Sequence, residues 1–387
     1  MVHALADQKG VSPKTIKVVA SPYRICPLGA HIDHQGAPVL GMTIDAYTLL
    51  AFVPVNPPEI QLTSMAYPGK VCFRFDQIPG SMTHPWGNYV RSAVLAFQEE
   101  HTLHHGIMGI VDGMLPGCGL SSSASVLLSY LYALSSANHL ILQPWDSVRL
   151  TRSAEKDHMG LNNGILDQTS IVFGRKDTLV YIETLKEDIT LIPAPPAWAD
   201  YAILIAFSGY SRELTTSGFN TRVQECREAA QALAHMANLP LPQKLSDIPE
   251  AVFHQFNPLL PPRLRRRARH YFSEVERVHL GRKAWENGQM VTLGQGMVET
   301  CNSSVEQYEC GIPPLIDLQR IVQSTQGMVG SRFMGGGYGG CVVGFVERNH
   351  AKAAAEDILQ TYRELHPEVA DRAAVYLTQS ADGIRFI

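Results

Sequence analysis

The chain has 387 residues, more than one average domain holds, and its 45% hydrophobic and 18% charged content describe a globular protein with material for two sizeable cores. A net charge of −4 and a pI near 6.4 argue against nucleic acid or an anionic membrane as the main partner. The 7 cysteines are scattered and none has C-x-x-C spacing, so reduced thiols are expected rather than a disulfide framework or a zinc site.

The first segment, MVHALADQKGVSPKTIK, has no long apolar run and no signal-peptide pattern. No apolar span near about 18 residues occurs anywhere, so a cytoplasmic protein without a membrane helix is expected. A β-like run over 16–20 leads into residues 23–36, YRICPLGAHIDHQG. Arg24, His31, Asp33 and His34 sit there among Pro27, Gly29 and Gly36, on a stretch that cannot be regular helix. Alternating donors and acceptors suit the hydroxyls of a small polar ligand such as a sugar; a solvated turn is the competing reading.

Strand patterns follow over 48–53 and 71–75, a helix pattern over 86–99 and a strand pattern over 107–111. Residues 115–125, LPGCGLSSSAS, then open a helix over 122–135, whose Val126, Leu127, Tyr130, Leu131 and Leu134 form an apolar stripe. Gly117 and Gly119 let the backbone approach an anion, and the helix start offers unpaired N–H groups and the positive end of its dipole. Ser121, Ser122 and Ser123 add hydroxyls and are candidate caps. There is no loop lysine and no Walker A pattern, so a phosphate here needs charge from Mg²⁺ or from distant side chains.

A helix is expected over 147–156, carrying Glu155. Residues 163–168, NGILDQ, place Asp167 beside apolar Ile165 and Leu166. Such a carboxylate is a general-base candidate if a cation holds it ionised, while Glu155 is a candidate Mg²⁺ ligand. After a strand pattern over 179–182, the proline-rich stretch IPAPPAW at 192–198 reads as a linker between domains 1–198 and 199–387. The second half shows strands over 202–207 and 342–345 and helices over 220–235, 263–278, 314–323 and 351–365. The basic run RLRRRAR at 263–269 reads as a solvated helix face. A late glycine cluster, MGGGYGG at 334–340, permits a tight turn against a ligand or another segment.

Taken together, these segments resemble the GHMP kinase superfamily, in its galactokinase-like branch. The resemblance rests on a sugar signature at 22–36, the serine loop and the late glycine cluster, in the family's order, and spans residues 22 to 340. It implies an α+β, two-domain GHMP kinase fold: a ribosomal protein S5 domain 2-like N-terminal domain and a ferredoxin-like C-terminal domain. It also implies ATP and Mg²⁺ as cofactors. Pro116, Gly117, Gly119, Leu120, Ser121, Ser122 and Ser123 would hold the ATP phosphates, backed by Gly335, Gly336 and Gly337. Ser123 and Glu155 would bind Mg²⁺. Asp167 would act as base on the anomeric hydroxyl, oriented by Arg24. Ala30, His31, Asp33, His34, Gly164 and Phe219 would meet the sugar.

Two departures from the galactokinase signature sharpen the expectation. Where it has glutamate, this chain has Ala30, and where it has tyrosine, His34. A protein carboxylate facing a 6-carboxylate on the sugar would cost about several kcal/mol through like charge and desolvation. Alanine removes that repulsion, and His34 is the first candidate to meet the substrate's carboxylate, with Arg212 second. The strings VVASPYRICPLGAHIDHQG, NGILDQ, SGFNTRVQEC and YECGIPPLI resemble plant-type galacturonokinases. Phe219 stands where relatives place a tyrosine, which removes a hydroxyl from the sugar wall. The resemblance implies a sugar-1-kinase acting on galacturonic acid and ATP. The alternatives are galactokinase, another monosaccharide-1-kinase, or a sugar sensor on the same fold.

Overall fold

A computed structural model describes residues 1–115, 118–211 and 218–387, apart from the side chain of Lys9. The sequence expectations on Pro116, Gly117 and Arg212 lie outside the described residues.

The first half builds around one long strand. Helix α1 (Val2–Lys9) precedes β1 (Lys17–Ile25), which runs antiparallel to β2 (Val39–Val55). Then come β3 (Glu59–Ser64), β4 (Lys70–Arg74), α2 (Gly87–Glu100), β5 (Gly106–Gly113), α3 (Ser122–Ala137), α4 (Pro144–Met159), α5 (Leu166–Phe173), β6 (Thr178–Glu183) and β7 (Asp188–Pro193). The second half holds β8 (Tyr201–Phe207), α6 (Phe219–Met236), α7 (Glu250–Phe256), α8 (Pro262–Glu286), α9 (Met290–Glu306), α10 (Pro313–Ser324), β9 (Met328–Phe333), β10 (Cys341–Glu347), α11 (Ala351–Leu365), β11 (Ala374–Thr378) and β12 (Arg385–Phe386). One sheet has 8 strands in the path β12-β1-β2-β5-β3-β4, with β6 on β2 and β7 on β6; the other has 4 in the order β11-β8-β10-β9. Only the β3–β5 pairing is parallel among these strands. The last strand, β12, returns to the first sheet beside β1.

The apolar strand expected at 16–20 continues to Ile25, so Tyr23 and Arg24 lie on a strand and not on a loop. Pro22 reads as a breaker, yet it sits where the β1–β2 register shifts, between Pro22 and Tyr23, so its missing N–H does not interrupt the pairing on either side. Helix α9 carries Gly294 and Gly296, a composition that argues against a helix. Its reason is packing: a Cβ at Gly294 would overlap the backbone of Val329 and Gly330, so glycine lets α9 lie directly on β9.

The apolar interior does not divide at the linker. The largest cluster runs from Leu28 and Val39 in the first half to Trp198, Trp285 and Phe345 in the second. Trp198 lies in a one-turn helix, Pro196–Asp200, with ring centroids 5.1 Å from Trp285 and 5.0 Å from Phe345. The Trp285 Nε1–H donates to the Pro193 carbonyl at 3.1 Å. The proline-rich stretch is thus the end of β7 and a packed turn, not a solvated spacer. A second cluster packs α2, α3 and α4 under the first sheet, with Phe52, Phe97, Ile107 and Leu131 inside. Burying side chains of this size is worth roughly 1.5–3 kcal/mol each. Among the described residues no helix is long and apolar enough to cross a membrane.

The basic run at 263–269 is only in part a solvated face: Arg263 and Arg269 are exposed, but the run also turns inward. Arg267 is fully buried and pairs with Glu225 and Glu309; Arg263 reaches Glu225 and Glu228, and Arg266 reaches Glu309. These arginines tie α8 to α6 and to the chain after α9, so three of their charges are paired, that of Arg267 inside the protein.

Candidate active site

A cleft lies between the end of β1, the start of α5 and the glycine cluster after β9. Its walls include Arg24, Ala30, His31, Asp33, Ser123, Gly164, Asp167, Phe219, Gly335 and Gly336. Residues separated by more than 300 positions in the chain therefore face one space.

The central pair is Arg24 and Asp167. The Arg24 Nη2 lies 2.6 Å from Asp167 Oδ1, and its Nε donates to the same oxygen at 2.8 Å. Burial works against the guanidinium's charge, but Asp167 outweighs it and holds Arg24 above its usual range. Asp167 stands in the first turn of α5, a helix that the short NGILDQ motif does not announce. The helix dipole there favours a carboxylate. Both arginine donors meet Oδ1, which leaves Oδ2 with no hydrogen-bond donor among the described residues. The Arg24 Nη1 is buried without a partner.

The end of the cleft that holds Ala30, His31 and Asp33 is assembled by long-range bonds. Asp33 accepts from the Leu166 N–H at 3.2 Å and from its neighbour His34 N–H at 2.9 Å. A Cβ at Gly164 would overlap the Asp33 carboxylate, so this glycine exists to let Asp33 approach. Burial, then the charge of Asp167, pushes the Asp33 carboxyl up to about 6. His31 has a left-handed φ of 58°, and its ring stacks on Tyr308 at 4.5 Å. Ala30 is buried, and its peptide is clamped from α8. The Glu274 Oε1 accepts from the N–H of Gly29 at 2.7 Å and of Ala30 at 3.0 Å, while His270 Nε2 meets the Ala30 carbonyl at 2.8 Å. Burial lowers His270 to about 4, so the ring is neutral near pH 7 and donates from Nε2.

His34 needs correction. It does not line the cleft, and both ring nitrogens are engaged. Gln35 Oε1 accepts from the Leu245 N–H, so its amide nitrogen faces His34 Nδ1 at 2.8 Å and donates to it. His34 Nε2 then carries the proton and meets the Tyr308 hydroxyl at 3.0 Å. Burial lowers the ring to about 3, so it is neither charged nor free to meet a carboxylate. Its contact with the site is indirect, edge-on to Phe219 at 5.8 Å.

The end of the cleft at the start of α3 is built largely from backbone. The Arg24 N–H donates to the Leu120 carbonyl at 3.2 Å, and Ser125 Oγ donates to the Ser21 carbonyl at 2.8 Å, tying the serine loop to β1. Ser121 is the residue before α3 and has a left-handed φ of 62°. It makes no cap bond; its hydroxyl is buried and has no partner among the described residues. Capping is therefore not its role. Ser123 faces the cleft, and Glu155 is buried on α4 beside α3.

The glycine cluster meets the serine loop differently from expectation. Gly335 and Gly336 line the cleft, but Gly337 packs on Gly311, and its carbonyl accepts from the Ile312 N–H at 2.9 Å. Gly340 makes the close approach. Its φ is 96°, and a Cβ there would stand 2.7 Å from the Cys118 carbonyl oxygen.

Several residues that shape the site give no signal in the sequence. Glu274 and His270 lie on α8 far from any motif, and Tyr308, although it opens the string YECGIPPLI, carries no mark of its contacts with His31 and His34. Arg332, on β9, is buried and lines the cleft together with Asn163 and Cys26. The signal that could have pointed to it is its place two residues before the glycine cluster at 334–340.

What the arrangement can do chemically is transfer a charged group to a hydroxyl. It holds an ion-paired carboxylate as proton acceptor, a second carboxylate for neighbouring hydroxyls, and a helix start with close backbone for anionic oxygens.

Comparison with known proteins agrees. A model of the GHMP kinases N terminal domain matches residues 88–175, which include the serine loop and Asp167. A galacturonokinase of Arabidopsis thaliana is 39% identical over 409 residues, covering 99% of this chain and 96% of that one. A galactokinase of Roseiflexus sp. (strain RS-1) is 32% identical over 376 residues, covering 97% and 93%. The structure of Lactococcus lactis galactokinase complexed with galactose matches with a TM-score of 0.90 at 27% identity, over 99% of this chain and 98% of the other. With its cleft and two-sheet α+β fold, the chain belongs to the GHMP kinase superfamily, in the galactokinase-like branch.

Proposed function

We propose that the protein is a sugar-1-kinase that transfers the γ-phosphoryl group of ATP to the anomeric hydroxyl of D-galacturonic acid, giving α-D-galacturonate 1-phosphate and ADP. The observation that carries the choice of sugar is Ala30: an alanine methyl stands in the sugar wall where the galactokinase signature has glutamate. The substrate is read as bringing the carboxylate that the wall lacks.

In this reading Asp167 Oδ2 accepts the anomeric proton while the sugar oxygen forms its bond to the γ-phosphorus and the bond to the β–γ bridging oxygen breaks. Arg24 fixes the carboxylate through Oδ1; its unpartnered Nη1 is read as meeting charge that builds between the two substrates. Asp33 accepts from sugar hydroxyls. The start of α3, with the Ser121 hydroxyl, receives phosphate oxygens. Ser123 and Glu155 supply the hard oxygen donors that Mg²⁺ takes beside phosphates and water, and the ion would neutralise phosphate charge there. A cytoplasmic location accompanies this reading.

The test is kcat/KM for galacturonate, galactose and glucuronate with ATP. Galacturonate is expected to exceed galactose by about tenfold or more. Preference for galactose would overturn the choice of sugar, and sugar binding without ADP release would make the protein a sensor.

A further inference from the structure

Resting on the galacturonate reading, we infer that Arg332 is the cation that receives the substrate's 6-carboxylate and so sets specificity for a uronic acid.

Four observations carry this. Arg332 lines the same cleft as Ala30, Asp33 and Asp167, and it is only 2% exposed. Its Nη1 donates to the Cys26 carbonyl at 2.7 Å, and its Nε is buried with no hydrogen-bond partner. No carboxylate of the described residues pairs with it, because the nearest candidates are already spent. Asp167 is held by Arg24, and Glu274 by Arg277 at 2.8 Å, by the Thr300 hydroxyl and by the Gly29 and Ala30 peptides. Lastly, the Arg332 charge acts on Glu274 and His270, the two residues that clamp Ala30, and arginine and alanine line the same cleft.

An arginine does not shed its proton in a protein. A buried guanidinium without a counter-ion is costly, and the cost is relieved by an anion that arrives with good geometry. A planar carboxylate matches the fork formed by Nε and the remaining nitrogen. Ala30 supplies the room: a glutamate at this position would bring its own carboxylate to the wall. The small residue and the unpaired cation are two halves of one device. The anion could in principle be a nucleotide phosphate, since Gly335 and Gly336 share the cleft, but that end has its own positive pole at the start of α3. The carboxylate is therefore the partner assigned to Arg332.

The experiment compares the wild type, Arg332→Gln and Arg332→Lys on galacturonate, its neutral 6-methyl ester and galactose, with the KM for ATP measured alongside. The wild type alone tests the galacturonate reading: if it does not favour galacturonate, that reading fails before any variant is considered. Given that preference, Arg332→Gln is expected to lower kcat/KM for galacturonate about 100-fold, and to change the ester and ATP KM by less than about threefold. Arg332→Lys keeps the charge but loses the fork, and is expected to lower the galacturonate-to-ester ratio about tenfold; this variant carries the test if the glutamine form does not fold. An unchanged ratio in the variant that folds would overturn the assignment. So would an equal loss on all three sugars, or a rise in the ATP KM, which would assign Arg332 to phosphate.

Discussion

The two ends of the cleft are built on different principles. The phosphate end is local backbone: a left-handed Ser121, a glycine at 119, the start of α3, and one close approach from Gly340. The sugar end is assembled from distant side chains: Glu274 and His270 on α8 hold Ala30, Asp33 reaches Leu166, and Arg332 on β9 reaches Cys26. A backbone cradle suits any triphosphate, whereas side chains delivered from several elements can change one at a time. The difference teaches where specificity resides. In the proposed reading the nucleotide end is set by chain geometry, and the sugar end varies by substitutions such as Ala30.

Three substitutions or conditions would break or sharpen that contrast. The largest effect belongs to the group between the two ends. Asp167→Asn removes the proton acceptor while keeping its shape, and kcat is expected to fall about 10³-fold, with galacturonate binding by calorimetry little changed. A loss confined to KM would mean that Asp167 binds and does not take the proton. Next, Gly340→Ala places a Cβ against the Cys118 carbonyl at a φ of 96°, strain of about 1–3 kcal/mol delivered to the phosphate end alone. The ATP KM is expected to rise by about tenfold or more at constant sugar KM. A change in sugar KM instead would show that the two ends are mechanically coupled. The smallest effect is that of pH. In the proposed reading Asp33 accepts from sugar hydroxyls, far more strongly when ionised, and its carboxyl is raised to about 6 by burial. Its charge is present above that value and lost as pH falls through it. kcat/KM for the sugar is therefore expected to fall about tenfold between pH 7 and pH 5, with a one-proton slope. A flat profile over that window would remove Asp33 from sugar binding.

The same contrast explains what the sequence made legible. The serine loop and glycine cluster are contiguous, so glycine and serine spacing announce the phosphate end, although which glycine touches the loop depends on tertiary approach: Gly340 does, Gly337 does not. Arg24 and Asp167 are 143 positions apart, yet each sits in a motif dense enough to mark it. At the sugar end the sequence gives the departure, Ala30, but not its counterpart. Arg332 looks like any strand residue until its burial and missing counter-ion are seen. His34 looks like a ligand until Gln35 and Tyr308 are found on its two nitrogens. The arginines at 263–269 look solvated because Glu225 and Glu309 lie 42 positions away in opposite directions from Arg267. Charges declare their chemistry in a sequence; whether they are already paired is a property of the fold.

The central claim is that the alanine at position 30 marks a site for a sugar that carries its own carboxylate. The most direct measurement is kcat/KM for galacturonate against galactose, with ATP, in the wild type and in Ala30→Glu. The account predicts that galacturonate is preferred by the wild type and that the glutamate form loses that preference, through repulsion and through occupation of Arg332. A wild type that prefers galactose, or a glutamate form that phosphorylates galacturonate as well as the wild type does, would contradict it.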